Sequence, residues 1–363
     1  MAPFFLWPVL WLTLPMLVWL IDGIADGNGT RRSFRSLFLE AAEVGWWFGF
    51  GYLVAGLFWI GDAFLVEAEK FAALMPFAVL GLPAGLALYY GLAAGVASWF
   101  WQTGGYRVLA LALAISTAEW VRGHALSGFP WNVLGYALTF PLPLMQSASL
   151  VGIYGLTLFA VLIFALPLVL VAESGQGVAG RGRRFWAFAA GLLPLAAGAI
   201  YGEVRLTTTA TAMVPGVRIR LVQPSVPQRE KWRPESQRRI FFDHVRLSKT
   251  DPDGRVDDLK DITHVVWPEA AMPFLPLDQP GALAAIDQML PPGTLLISGA
   301  LRAEPAGPAP NHERRVFNSM LVFGHDGPVP VRYDKIHLVP FGEYLPLRSL
   351  LASLGLRQLT QVR

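Results

Sequence analysis

Two short segments in the second half of the sequence place reactive side chains at the ends of apolar stretches. The first runs from Val265 to Ala271 and puts a carboxylate, Glu269, directly after a tryptophan and a proline. Ligands of α/β folds bind at the ends of strands. Its apolar neighbours would partly desolvate Glu269, raise its pKa and suit it to accept a proton near neutral pH. Spacing alone favours the alternative that this carboxylate caps the next helix.

The second segment runs from Tyr333 to Pro346 and places Lys335, His337 and Glu343 among apolar and aromatic residues. Taken alone, Lys335 is better explained by a surface ion pair with Asp334, and His337 by burial in a core. None of the six histidines shows the paired spacing of metal ligands, so we expect no metal and no other cofactor.

Alternating strands and helices must position these segments. Apolar and polar residues alternate over 217–222, which predicts a strand, and the stretch 230–249 predicts an amphipathic helix. The apolar face of that helix consists of Ile240, Phe241, Val245 and Leu247. Further predicted elements are strands over 264–267, 294–300 and 316–323, a helix over 282–290 and an extended segment to about residue 338. This alternation indicates an α/β sandwich over residues 217–363, preceded by a linker at 202–216.

The first 201 residues have the composition of a membrane protein. The chain is 54% hydrophobic and 15% charged, and only nine of its 29 Lys and Arg residues precede residue 202. Six apolar stretches are long enough to cross a bilayer, and they cover 3–21, 42–60, 72–101, 105–121, 147–172 and 184–201. The sequence therefore predicts a multi-pass α-helical membrane domain over residues 1–201.

Arginines between these stretches predict the orientation of the chain. They cluster after the first, third and fifth stretches, at positions 31, 32, 35, 107, 181, 183 and 184. Short basic loops stay on the cytoplasmic side, so the residues after 201 are predicted to face outward. No basic stripe interleaved with aromatic residues occurs, and we expect no nucleic-acid partner.

The connection between the fourth and fifth stretches is rich in aromatic residues, with the segment 128–136 following Glu119 and Trp120. An interfacial aromatic belt and a loop that shapes a lipid-binding portal explain this equally well. We expect Glu119, near a helix end, to be a snorkelling or paired charge rather than a catalyst.

Several motifs together carry a resemblance to a known family. They are Gln223-Pro224, Gln228, Lys231-Trp232, Trp267-Pro268-Glu269, Ser298-Gly299-Ala300, Asn318-Ser319, the run from Tyr333 to Pro346, Glu119-Trp120 and Gly128-Phe129-Pro130-Trp131. The chain resembles the nitrilase superfamily, whose members use a Glu-Lys-Cys triad, and specifically its membrane-embedded branch, the apolipoprotein N-acyltransferases. The fold class implied is a multi-pass α-helical membrane domain with an incomplete α/β nitrilase-like sandwich domain.

The resemblance implies transfer of a fatty acyl chain from a phospholipid to the N-terminal amino group of a diacylglyceryl-cysteine apolipoprotein, through a cysteine thioester. It also implies a bacterial inner membrane and a periplasmic α/β domain. Glu269 resembles the general base, Lys335 the cation that stabilises thiolate and oxyanion, and Glu343 a supporting glutamate. The substrate-binding residues implied are Trp232, Tyr344 and Trp131.

The chain departs from the family pattern because it contains no cysteine. This excludes disulfides, thiolate metal sites and a cysteine nucleophile within the 363 residues. We therefore expect a chain truncated at the C-terminus, and at the N-terminus as well, without transferase activity of its own. Two alternatives stay open: a membrane-anchored nitrilase-type amidase, and a non-catalytic membrane protein that uses the fold as a binding platform.

Overall fold

The computed structural model divides the chain into two compact units, residues 1–211 and 212–363. The residues that it describes are 6–26, 33–65, 68–102, 104–171, 178–251, 253–256, 258–305, 314–340 and 343–344.

The N-terminal unit is built from helices. The long helices are α1 (Leu10–Asp26), α2 (Phe34–Leu57), α3 (Met75–Trp99), α4 (Gly105–His124), α5 (Ala148–Phe164), α6 (Val178–Gly191) and α7 (Leu193–Thr208). Short helical segments cover Trp7–Val9, Phe58–Leu65, Ala68–Phe71, Ala72–Leu74, Leu134–Leu138, Leu142–Met145 and Pro167–Val171. Helix α7 continues past residue 201, where the sequence predicted the start of a linker.

Five helices in the described part of this unit are long and apolar enough to cross a membrane. They cover Trp7–Asp26, Phe34–Leu65, Ala72–Trp99, Ala148–Val171 and Gly182–Thr208. A multi-pass helical membrane domain is thereby confirmed, but the predicted stretch 105–121 is not among the five. That stretch forms α4, whose 20 residues include three charges, Arg107, Glu119 and Arg122. Each charged side chain lowers the apolar character of a helix.

Small residues bring α2 and α3 close together. A Cβ atom on Gly45 would lie 2.5 Å from the Cβ of Ala94, and one on Gly49 would lie 2.6 Å from the Cβ of Tyr90. Apolar helices gain little from the hydrophobic effect inside lipid, so close van der Waals packing holds such pairs together. These glycines therefore set the distance between the two helices.

Glu119 is buried inside the N-terminal unit, with 1% of its surface exposed. Its carboxylate accepts hydrogen bonds from the Tyr90 hydroxyl at 2.5 Å, the Leu134 amide at 2.9 Å and the Thr157 hydroxyl at 2.7 Å. The nearest guanidinium nitrogen of Arg122 lies 4.0 Å away. Glu119 is thus a paired charge, as predicted, although it is buried and does not snorkel.

Arg122 holds the aromatic connection that follows α4. Its guanidinium donates to the main-chain oxygens of Phe129 and Trp131, at 3.0 and 2.8 Å. Removing one partner of a buried ion pair leaves an uncompensated charge, which lowers the stability of the fold by several kcal/mol. The Glu119–Arg122 pair therefore fixes the main chain of this loop, while the Trp131 side chain remains 49% exposed.

The C-terminal unit contains a five-stranded mixed sheet in the order β1-β2-β3-β4-β5. The strands are β1 (Ile219–Leu221), β2 (His264–Val266), β3 (Leu295–Pro305), β4 (Arg314–Gly324) and β5 (Gly327–Asp334). The helices are Gln228–Lys231, α8 (Pro234–Ser248), the short turn Pro276–Asp278 and α9 (Pro280–Met289). Strands β1 to β3 are parallel and β3 to β5 antiparallel, so the predicted α/β alternation is confirmed.

One face of the sheet packs against α8 and α9. Val265, Leu296 and Phe323 on the strands form a buried cluster with Phe241 of α8 and Ile286 of α9. Burying each such side chain contributes roughly 1.5–3 kcal/mol. The helices thereby fix the sheet whose strand ends carry the reactive residues.

Candidate active site

The turn that carries Glu269 lies directly on β3. The Trp267 amide donates to the Ile297 oxygen at 2.9 Å, and the Ala271 amide donates to the Gly299 oxygen at 3.0 Å. A Cβ on Gly299 would lie 2.6 Å from the Cα of Glu269, so only glycine allows this approach. The main chain between these two bonds is therefore fixed against the neighbouring strand.

Lys335 directly follows β5, opposite Asn318 of β4. Its amide donates to the Asn318 oxygen at 2.8 Å and so extends the antiparallel ladder by one residue. The preceding residue, Asp334, accepts two hydrogen bonds from Arg302, at 3.1 and 2.7 Å, and one from Ser319 at 2.6 Å. The predicted Asp334–Lys335 surface pair is wrong, because successive side chains of a strand point to opposite faces.

The Lys335 ammonium lies between two carboxylates. Its Nζ is 3.1 Å from Oε1 of Glu269 and 3.0 Å from Oε2 of Glu343. Glu343 is held in turn by Val339, whose amide donates to Oε2 at 2.8 Å. The structure thus brings together all three residues that the sequence proposed as catalytic.

Asn318 completes this centre, and the sequence assigned it no role. Its Nδ2 donates to Oε1 of Glu269 and to Oε1 of Glu343, at 2.7 Å each. An amide donor between two carboxylates lowers their mutual repulsion without adding charge. The available signal was the Asn318-Ser319 motif, which carries part of the family resemblance.

The pKa shifts follow from these contacts. The hydrogen bond from Lys335 holds the pKa of Glu269 below its ordinary value against partial burial, and Asn318 adds to this effect. Burial would raise the pKa of Glu343, but bonds from Val339, Asn318 and Lys335 outweigh it and lower that pKa. Burial also opposes the charge of Lys335, yet both glutamates together raise its pKa.

Two expectations for Glu269 are therefore wrong. Its pKa is lowered rather than raised, because the side chain is 64% exposed and bonded to an ammonium group. It does not cap the next helix either, since α9 begins at Pro280 after Gln279, well beyond the turn. At neutral pH the centre holds two carboxylates and one ammonium group.

A second lysine reaches the same turn. Lys231, at the end of the short helix Gln228–Lys231, donates from Nζ to the main-chain oxygen of Glu269 at 2.9 Å.

The proposed substrate-binding residues are more dispersed along the chain. Trp232 follows Lys231 directly and is half-buried, and Tyr344 follows Glu343 and is 38% exposed.

Trp131 and His337 have no contact with the centre among those described. Trp131 belongs to the N-terminal unit, where its ring meets Phe129 edge-on with centroids 5.1 Å apart. His337 is exposed, so the prediction of a core histidine is wrong. No group of His, Asp and Glu residues suited to holding a metal occurs among the described residues.

The geometry supports proton transfer next to a fixed positive charge. An ionised carboxylate can accept a proton, and an ammonium group about 3 Å away can stabilise an anion that forms beside it. The fold and this centre define a membrane protein with a Glu-Lys-Glu site at the strand ends of an α/β sheet.

Comparison with known proteins identifies the family. Residues 1–166 match the family model described as the apolipoprotein N-acyltransferase N-terminal domain. Curated relatives with the name apolipoprotein N-acyltransferase include those of Rhodopseudomonas palustris, 44% identical, and Bradyrhizobium diazoefficiens, 46% identical, each over 100% of this chain and 66% of the relative. The relative from Sinorhizobium fredii is 43% identical over 98% of this chain and 64% of its own length.

The chain belongs to the apolipoprotein N-acyltransferase family. It spans about two thirds of the length of the curated relatives that it matches.

Proposed function

We propose that this chain supplies the membrane region and the proton-transfer residues of an enzyme that N-acylates apolipoproteins. The acyl group would pass from a phospholipid to the N-terminal amino group of a diacylglyceryl-cysteine apolipoprotein. The observation that carries this proposal is the Lys335 ammonium held between Glu269 and Glu343. The names of the curated relatives and their identity along the whole chain support it.

The first half-reaction needs a thiol, and the 363 residues contain no cysteine. We assign this nucleophile to a part of the full-length enzyme outside these residues. Glu269 takes the thiol proton, and the sulfur attacks the ester carbonyl of the phospholipid. The carbon–oxygen bond breaks, the lysophospholipid alkoxide leaves with the proton from Glu269, and a thioester remains.

In the second half-reaction the sulfur is the leaving group instead of the nucleophile. The amino group of the apolipoprotein attacks the thioester carbonyl while Glu269 takes one of its protons. The carbon–sulfur bond breaks, and the departing thiolate takes the proton from Glu269 as the amide forms. Lys335 stabilises the oxyanion of both tetrahedral intermediates, a role worth about 3–4 kcal/mol for one preorganised donor. Glu343 keeps the lysine charged and in place.

The helical unit explains why such a centre belongs on a membrane protein. Both substrates are anchored in a bilayer, and the five apolar helices hold the chain there. We propose a bacterial inner membrane with the α/β unit on the periplasmic side. Trp232, Tyr344 and Trp131 are proposed as substrate contacts, with exposed or half-buried rings suited to acyl chains.

A chimaera tests this proposal. The 363 residues replace the segment of the Rhodopseudomonas palustris relative to which they align, and labelled acyl transfer from phospholipid vesicles to a diacylglyceryl-cysteine peptide is measured. We expect transfer by the chimaera and none by the 363-residue chain alone. Lys335→Met should lower the rate by about 10²–10³-fold, whereas Lys260→Met, at an exposed lysine, should not.

The proposal fails if the chimaera is inactive under conditions where the unmodified relative transfers the acyl chain. It also fails if Lys335→Met leaves the rate of a folded chimaera unchanged.

A further inference from the structure

Lys231 is the second lysine at the Glu269 turn, and its contact differs in kind from that of Lys335. Its Nζ lies 2.9 Å from the main-chain oxygen of Glu269 and bonds no carboxylate oxygen among the contacts described. The two residues are 38 positions apart in the sequence. The side chain is half-buried beside the end of β2, so water competes only partly for the ammonium.

The contact adds a side-chain hydrogen bond to a turn whose main chain β3 already holds. The turn is held on its two sides by the amides of Trp267 and Ala271, which bond to β3. Between them, Ala270 has a positive φ of 48°, which a residue with a side chain adopts at a cost. The oxygen of Glu269 belongs to the peptide group that leads into this strained residue.

Fixing that peptide plane fixes the direction in which the Glu269 side chain leaves the main chain. The plane of the 269–270 peptide sets ψ of Glu269, and ψ together with the approach to Gly299 sets the direction of the Cα–Cβ bond. A charged donor suits this task because its hydrogen bond to a carbonyl is roughly twice as strong as a neutral one.

We propose that Lys231 is a positioning residue of the acyl-transfer centre, whose ammonium holds the main-chain oxygen of Glu269 and thereby aims the carboxylate at Lys335. The kinetic part of this inference rests on the function proposed above. The structural part, that Lys231 orders the turn, stands without it.

The pKa values of the two lysines are shifted in opposite directions. Burial lowers the pKa of Lys231, and the Glu269 carboxylate raises it only in part. The pKa of Lys335 is raised. Two titratable groups act on Lys231 from the elements packed around it, Glu269 after β2 and His244 of α8. Burial lowers the pKa of His244. As pH rises, Lys231 therefore loses its charge before Lys335 does.

Hydrogen exchange on the 363-residue chain in detergent tests the structural part. In Lys231→Met, the peptide spanning residues 267–272 should exchange at least about tenfold faster, because a hydrogen bond from a charged donor is lost. Lys231→Arg should keep most of the protection, and Lys260→Met should behave as the parent. Peptides of β3 and β4 should remain protected, which separates a loosened turn from an unfolded sheet.

Unchanged exchange at residues 267–272 in Lys231→Met would overturn the inference. If that variant unfolds the whole sheet, Lys231→Gln takes its place, with the same criterion applied to the turn and to β3.

Kinetics of the chimaera test the positioning role. Lys231→Met should lower kcat about tenfold and leave KM for the phospholipid unchanged. Lys231→Arg, which stays charged, should restore kcat and move the alkaline limb of the pH profile upward. A parental kcat in Lys231→Met, or an unmoved alkaline limb in an active Lys231→Arg, would contradict this role. An inactive parent chimaera would count against the proposed function, while hydrogen exchange would still decide on Lys231.

Discussion

At the scale of single residues, the centre is a balance of charges around Asn318 and Lys335. Both Glu269 and Glu343 have pKa values held below the ordinary range, so both are ionised at neutral pH. A general base must be deprotonated to act, so activity that depends on Glu269 rises as pH increases through this lowered pKa. The acid limb of the pH profile should therefore lie below the usual carboxylate range.

Asn318→Asp tests this balance. The change removes the donor to both glutamates and adds a third negative charge beside them. A like charge raises the pKa of a carboxyl group, so the acid limb of kcat/KM in the chimaera should move upward by about one pH unit. Gln279→Glu, the same amide-to-carboxylate change on the exposed start of α9, should leave it in place. If the acid limb of kcat/KM in Asn318→Asp lies at the same pH as in the parent, Glu269 is not the base.

At the scale of elements, β3 supports the turn that carries Glu269, the proposed base. Gly299 lets the Glu269 turn approach β3, and Gly299 pairs with Met320 two residues from Asn318 on β4. The β4–β5 register then carries Lys335 to Asn318, one step past the Ser319–Asp334 pair. Two strand registers and one close turn are therefore sufficient to assemble the centre.

Gly299→Ala should disturb this assembly. Its Cβ would lie 2.6 Å from the Cα of Glu269 and 2.8 Å from the Pro268 oxygen, both main-chain atoms that cannot rotate away. We expect a loss of roughly 1–3 kcal/mol in the free energy of unfolding, measured by thermal or denaturant unfolding of the chain. Gly281→Ala, with no atom within 4 Å of its new Cβ, should be close to neutral. Equal stabilities for the two variants would contradict the close approach.

The local elements of the α/β unit could be predicted from sequence, but the contacts of the centre could not. Apolar periodicity depends on neighbouring residues, and it predicted β2, β4, α8 and α9 within a few residues. The bond from Lys335 to Glu269 spans 66 residues and depends on two strand registers, which spacing does not specify. The sign of the Glu269 shift was predicted wrongly for the same reason, because the bonded ammonium outweighs the apolar neighbours.

At the scale of the whole molecule, the number of bilayer crossings depends on whether α4 spans the membrane. Its 20 residues would span about 30 Å at 1.5 Å per residue, enough to cross a bilayer. Its charges are paired inside the protein: Glu119 with Arg122, and Arg107 with Asp22 at 3.4 Å. Pairing within the bundle removes most of the cost of placing charges in a membrane. We infer that α4 crosses the bilayer although it is not among the five apolar helices.

Cysteine labelling tests this topology in a chain that has no native cysteine. Arg35 lies in the first turn of the apolar helix Phe34–Leu65, and four apolar helices run from there to Thr209, so α4 makes a fifth crossing. With α4 crossing, Thr209→Cys should react with an impermeant maleimide on the periplasmic side and Arg35→Cys should react only after lysis. Reaction of both positions from the same side would show that α4 does not cross.

Trapping the acyl group on the enzyme tests the proposed thioester route and the role of Glu269 in it. The chimaera is incubated with a phospholipid of known acyl chains and no acceptor, and its intact mass is measured. We predict an increase equal to one acyl chain, removed by hydroxylamine and absent in Glu269→Gln, but retained in Glu235→Gln, an exposed glutamate at the start of α8. An adduct that forms at the parental rate in Glu269→Gln would rule out Glu269 as the base, and acyl transfer without any adduct would rule out the thioester.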